Sequence, residues 1–212
     1  MSVKGIIFDL DGVIVFTDKF HYQAWKKIAD KKGIYFDEKI NNRLRGIGRK
    51  DSLEIILEQY HGETLSKEEK EELIEEKNSI YCELLKTMVS NDVSVEVRET
   101  LAELRRRGYK IALGSSSKNA KFILEQVELL DAFDAISDGN NIVNSKPDPE
   151  VFLKAAEFLG VDPAECVVVE DAHAGIDAAK AAGMLAVGIG DAASYSKVDI
   201  SLTFFKDLLK CF

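Results

Sequence analysis

Three runs of consecutive apolar residues rich in β-branched side chains stand out along the 212-residue chain: Gly5-Ile6-Ile7-Phe8-Asp9, Lys110-Ile111-Ala112-Leu113-Gly114 and Cys166-Val167-Val168-Val169. Unbroken rather than alternating hydrophobicity is the mark of strands buried on both faces. Ala132-Phe133-Asp134-Ala135-Ile136 and Leu185-Ala186-Val187-Gly188-Ile189 are weaker strand candidates. Between them, apolar residues recur at helical period over 95–107, 118–129, 149–159 and 175–182. Gly108, Gly160 and Gly183 stand where helix C-termini need a residue that tolerates positive φ. Strands alternating with helices imply right-handed crossovers and a parallel sheet covered on both faces, a doubly wound α/β core.

From Thr17 to Leu85 the pattern changes to charged and helical, with no convincing strand. Ser66-Lys67-Glu68-Glu69 has the form of a capping box that opens a helix. A stretch of about 70 residues far exceeds one crossover helix. The expected organisation is a core built from 1–16 and 86–212, with a small all-helical domain, 17–85, inserted after the first strand.

The formal net charge of -9 argues against a nucleic-acid partner. It leaves room for a small phosphorylated molecule, provided that Lys and Arg cluster locally around it. Three cysteines, Cys82, Cys166 and Cys211, share no metal-ligand spacing and form no disulfide framework, which suits a reducing compartment. Asp9 and Asp11 interrupt the opening apolar run, against a signal peptide, and no run approaches the ~20 apolar residues of a membrane span. The expectation is a cytoplasmic protein without a membrane partner.

The chemistry gathers at the strand ends. Asp9 and Asp11 flank Leu10 at the end of the first strand, the edge where doubly wound sheets bind ligands. Read alone, an Asp-x-Asp is more often a strand end and a turn. Yet Gly114-Ser115-Ser116-Ser117-Lys118-Asn119 follows the second strand, and Glu170-Asp171 follows the third. Hydroxyls and N–H groups before a helix make an anion site. Ser145-Lys146-Pro147-Asp148-Pro149 precedes another helix, with Pro149 suited to its first turn. In a parallel sheet all four segments share one edge. Crowded carboxylates require a cation, and an all-oxygen set (Asp9, Asp11, Glu170 and Asp171) suits magnesium. Asp9 would be nucleophile and metal ligand, Asp11 general acid and base, and Ser115 and Lys146 the holders of phosphoryl oxygens.

Asp9-Leu10-Asp11-Gly12, Ser115, Lys146 and Glu170-Asp171 resemble, in order and placement, the sequence motifs of the haloacid dehalogenase superfamily. The resemblance covers essentially the whole chain. It implies a Rossmann-like core, one magnesium ion per active site and a helical insert that acts as a mobile cap. Thr17-Asp18-Lys19-Phe20-His21-Tyr22-Gln23-Ala24-Trp25 and Leu44-Arg45-Gly46-Ile47-Gly48-Arg49-Lys50-Asp51-Ser52-Leu53 are similar to the cap of the β-phosphoglucomutase-like subgroup.

That likeness implies a phosphorylated hexose as partner and glucose 1,6-bisphosphate as intermediate and activator, in a monomeric enzyme. By the same likeness Arg49 grips the phosphate that is not transferred, Arg45 and Lys77 line the cap face, and His21 positions Asp11. Thr17, Trp25, Gly46, Ser116, Lys118 and Asn119 surround the sugar phosphate. Taken without it, Trp25 is a core residue, Arg49-Lys50-Asp51 a solvated charge run, and Lys77 a surface ion pair on a Glu-rich helix. The chain departs from the subgroup at Phe16, at Gly48 and at Ser94-Val95-Glu96-Val97, where Asp, Ser and a Pro-Gly turn are usual. A phosphatase with water as acceptor stays open as an alternative, because the same core residues serve both reactions. A binding module without catalysis is disfavoured by the presence of both Asp9 and Asp11.

Overall fold

The computed structural model describes residues 3–45 and 47–212. Gly46, among the expected ligand contacts, lies outside them.

Six parallel strands form one sheet in the order β3-β2-β1-β4-β5-β6, with β1 Gly5–Phe8, β2 Lys110–Gly114, β3 Ala135–Ser137, β4 Cys166–Glu170, β5 Leu185–Gly188 and β6 Ile200–Ser201. The central strand is apolar throughout because it is covered twice. Ile6 and Phe8 face one core, with Leu101, Leu104, Ile123 and Val169; Ile7 faces the other, with Phe152, Ala156 and Ile176. Each such fully buried side chain contributes roughly 1.5–3 kcal/mol over an exposed one. The helices α5 (Val95–Arg106), α6 (Ala120–Gln126), α7 (Glu150–Leu159) and α8 (His173–Ala181) cover the two faces. Phe8 pairs in register with both Leu113 and Val169, so Asp9, Gly114 and Glu170 emerge at the same level of the carboxyl edge.

Two elements differ from the sequence pattern. The strand expected over 132–136 begins only at Ala135, because Leu130–Ala132 closes as a 3-10 turn and the Asp134 carboxylate accepts the Ile111 N–H at 2.8 Å. The helix expected over 118–129 runs only from Ala120 to Gln126: the Ser115 and Ser117 hydroxyls hold the preceding turn, and Glu128 leaves the helical region at φ 55°. Gly108, Gly160 and Gly183 do have positive φ just beyond their helices. The two-residue strand β6 is too short to carry a pattern.

Residues between β1 and β2 are helical: α1 Asp18–Lys31, α2 Glu38–Asn42, α3 Arg49–Leu57 and α4 Lys67–Leu85. The capping box opens α4, with Ser66 and Glu69 bonded reciprocally to each other's N–H. These helices enclose a core of their own around Trp25, Ile28, Phe36, Leu53, Ile56 and Leu73. Tyr81 and Leu85, at the end of α4, instead join the core against the sheet. Ser94 does the work expected of a turn there, its hydroxyl accepting the Val97 N–H and so capping α5.

Candidate active site

Past Phe8 the chain leaves the sheet through a tight turn at Gly12, where φ is +88°. A Cβ on Gly12 would lie 2.0 Å from Asp171 Oδ2, so glycine lets the two strand ends close on each other. This brings carboxylate oxygens of Asp9, Glu170 and Asp171 within 4.8 Å of one another. Lys146, fully buried between them, donates to Asp9 Oδ1 and, at 2.6 Å, to Glu170 Oε1. Burial works against that ammonium, but Asp9 and Glu170 outweigh it and hold the Lys146 pKa above the ordinary lysine value.

The carboxylates have no such surplus. Burial pushes Glu170 up despite Lys146, and burial with the Glu170 and Asp9 charges pushes Asp171 up. One ammonium for three crowded acids leaves negative charge that a divalent cation would neutralise. The donor set fits: Glu170 is engaged at both oxygens, by Lys146 and the Ala172 N–H, whereas the Asp171 carboxylate has no protein donor among the described residues. Asp11 does not join this cluster, contrary to the sequence expectation of four metal ligands. Its carboxylate accepts instead from the Thr17 hydroxyl. Burial and the Asp9 charge, against that bond, raise the Asp11 pKa to about 7.

Above this acidic floor lies a cavity roofed by the helical insert. Asp9, Asp11, Ser115, Ser116, Asn119 and Asp171 line it from the core, and His21, Trp25, Arg45, Arg49 and Lys77 from the insert. Lys77 is buried rather than at the surface, its ammonium 2.9 Å from His21 Nδ1 and over the Tyr81 and Trp25 rings. Burial and nearby Arg49 lower its pKa to about 7. The same burial, with Lys77 and Arg49, keeps His21 well below its usual value. Neither Lys77 nor Arg49 meets a carboxylate in an ion pair among the described residues. An anion is what this wall lacks.

Some expected residues sit elsewhere. Thr17 is fully buried behind Asp11 and outside the lining. Lys118 is exposed and also outside it. His21 contacts Lys77 and the Tyr81 ring, while Thr17 is the residue that holds Asp11. Arg45 lines the cavity, but its two terminal nitrogens pair with Asp18 and Asp191. Gly48 packs closely on the core, where a Cβ would stand 2.4 Å from Ser145 Oγ.

Asp18, Leu44, Ile47 and Ser117 also line the cavity, as do Asn41, Ser52 and Tyr81, which the sequence reading did not single out as site residues. Ser52 is three residues after Arg49 and Tyr81 four after Lys77, a helical spacing that would have found them. Asn41 carries no such signal. The buried Asn41 Oδ1 and Ser116 Oγ have no protein hydrogen-bond partner, consistent with a polar ligand.

The family model of haloacid dehalogenase-like hydrolases matches residues 3–183. The chain is 43% identical over 207 residues to a β-phosphoglucomutase of Bacillus subtilis, covering 97% of this chain and 92% of that one. It is 32% identical to a phosphorylated carbohydrates phosphatase of Thermotoga maritima, over 86% and 82% of the two chains. A crystal structure of β-phosphoglucomutase from Clostridium difficile superposes with a TM-score of 0.91 at 41% identity, over 97% of this chain and 93% of that one.

Proposed function

Because the chain belongs to the haloacid dehalogenase-like hydrolases, we propose that it interconverts β-D-glucose 1-phosphate and glucose 6-phosphate through a phosphoryl group carried on Asp9. The observation that carries this reading is the pair of unmatched cations, Arg49 and Lys77, on the insert, in addition to Lys146 on the core. A phosphatase acting on a monophosphate needs one phosphate site. A reaction through glucose 1,6-bisphosphate needs two, one at Asp9 with Ser115 and Lys146 and one under the insert.

In the proposed reaction a sugar hydroxyl oxygen attacks the phosphorus of phospho-Asp9, and the P–O bond to the Asp9 carboxylate breaks. The hydroxyl proton passes to Asp11, whose pKa of about 7 suits both taking and returning it. The bisphosphate then presents its other phosphoryl group, and the same steps run in reverse. Ser115 and Lys146 hold the transferring oxygens, Arg49 and Lys77 the other phosphate, and Trp25, Ser116 and Asn119 the sugar between them. Magnesium, held by Asp9 and Asp171 with Glu170 behind them, would offset phosphoryl charge. Residues 17–85 act as a cap moving on the core 1–16 and 86–212, excluding water while phospho-Asp9 waits. Three free thiols suit the cytoplasm, where the chain would work as a monomer.

The 32% identity to the Thermotoga maritima phosphatase supports a second reading, with water as final acceptor. The deciding assay uses purified protein, magnesium, β-glucose 1-phosphate and a trace of glucose 1,6-bisphosphate. Glucose 6-phosphate as main product supports the mutase; inorganic phosphate as main product replaces it with the phosphatase.

A further inference from the structure

We propose that Arg45 and Asp191 form the latch that holds the helical insert shut, and that this latch sets how much of the phosphoryl group on Asp9 is lost to water. The second half rests on the function proposed above; the first does not. Arg45 lies between α2 and α3 on the insert, and Asp191 follows β5 on the core. Arg45 Nη1 and Asp191 Oδ2 are 2.6 Å apart. Arg45 Nη2 is 2.6 Å from Asp18 Oδ2, at the first residue of α1. The guanidinium is thus braced by the insert's entrance while it reaches across to the core. Both terminal nitrogens of its planar fork are engaged, while its buried Nε has no protein partner.

Other contacts across this junction, besides the Thr17 hydroxyl on the Asp11 carboxylate and the local Lys86–Glu83 pair, are uncharged and small. Asn119 donates to Asn78 at 3.0 Å, Cys82 lies 3.6 Å from Asn119 Oδ1, and Gly48 packs on Ser145. Among the described residues, Arg45–Asp191 is the one ion pair that joins residues 17–85 to a distant part of the core, the other crossing pair, Lys86–Glu83, being a local i,i+3 contact at the junction itself. Asp191 is 79% exposed, and a pair so open to solvent shifts an equilibrium by at most about fivefold. A weak bond suits an element that must open in every cycle. When the insert lifts, a water oxygen can attack the phosphorus of phospho-Asp9. The P–O bond to the carboxylate breaks, leaving inorganic phosphate and free Asp9, with the water proton passing to Asp11.

Asp191→Asn removes the core half of the latch at an exposed position that puts no folding at risk. The charge swap Arg45→Asp with Asp191→Arg, made together with Asp18→Asn so that no second carboxylate faces the new one, restores attraction with the signs reversed. Trp25, the sole tryptophan, is 2% exposed and lines the roofed cavity, so acrylamide quenching reads insert opening in the magnesium-loaded protein. Phosphate release from protein phosphorylated by acetyl phosphate reads water access without any sugar. The expected result is stronger quenching and hydrolysis about two- to fivefold faster in Asp191→Asn, with both returning toward the parent in the swap. Added 0.5 M salt should reproduce the change in the parent and not in Asp191→Asn. Parent-like quenching in Asp191→Asn overturns the latch. If the parent takes up no phosphoryl group, the proposed function is what fails, and quenching alone still decides the latch.

Discussion

The Thr17 hydroxyl donates to Oδ1 of Asp11, which ties the first residue after the core's opening segment to the carboxylate that the proposed reaction uses as acid and base. Tyr81, on the last helix of the insert, donates in turn to Thr17 Oγ1 at 3.2 Å. Insert and acid–base group are therefore joined by a buried chain of hydroxyls.

Thr17→Val keeps the shape and removes that bond. The bond favours ionised Asp11 and opposes the burial that raises its pKa to about 7, so its loss moves the pKa higher. The limb of the kcat–pH profile on which the base ionises should shift to higher pH, with kcat at pH 7 lowered about 10- to 100-fold. An unchanged profile would contradict the assignment of Asp11.

Lys146→Met takes the ammonium from between Asp9 and Glu170 and leaves two buried carboxylates without their counter-ion. Breaking such a pair costs about 3–5 kcal/mol, equivalent to a fall in Tm of roughly 10 °C for a chain of this size. Thermal unfolding in EDTA should show this fall, with part of it recovered on adding magnesium.

Magnesium should raise Tm more at pH 8.5 than at pH 6. Burial, with the Asp9 charge beside Glu170 and the Glu170 and Asp9 charges beside Asp171, raises both carboxyls, so the lower the pH, the more protons a cation must displace. At pH 8.5 more of both is ionised than at pH 6, and less of the binding free energy goes into proton release. A magnesium-induced shift in Tm that is equal at both values, or larger at pH 6, would tell against the acidic site.

Arg49→Ala should lower kcat/KM for β-glucose 1-phosphate by about 10- to 100-fold, the scale of a charge-assisted bond to a phosphate. It should leave release of phosphate from phosphorylated Asp9 unchanged within about twofold, because Arg49 sits on the insert and Lys146 and Ser115 attend the transferring group.

Much of the core was legible because its signals are local and redundant. The apolar runs at 5–8, 110–114 and 166–169 are buried on both faces, and β-strand register then forces Asp9, Gly114 and Glu170 to one level. The insert was legible as helical from its capping box and charge pattern. Which of its cations would be buried was not. From its neighbours alone Lys77 reads as a surface residue among glutamates; only the resemblance placed it on the cap face, and the packing of α4 on α1 puts it under Trp25 and Tyr81. Arg45 was expected on the cap face and does line the cavity, but the sequence gives no sign that Asp18 and Asp191 meet at its two ends, 27 residues before and 146 after it in the chain. Asp11 was grouped with the metal ligands by proximity in sequence, while the turn at Gly12 and the Thr17 hydroxyl separate it from them.

The most direct test of the whole account is the fate of the phosphoryl group on Asp9. Protein phosphorylated there is mixed with β-glucose 1-phosphate in the presence of magnesium, and sugar phosphates and inorganic phosphate are measured together over a single turnover, with Asp9→Asn as control. The account predicts glucose 1,6-bisphosphate and glucose 6-phosphate in large excess over inorganic phosphate, and neither from Asp9→Asn. Inorganic phosphate as the dominant product, or turnover that survives Asp9→Asn, would contradict it.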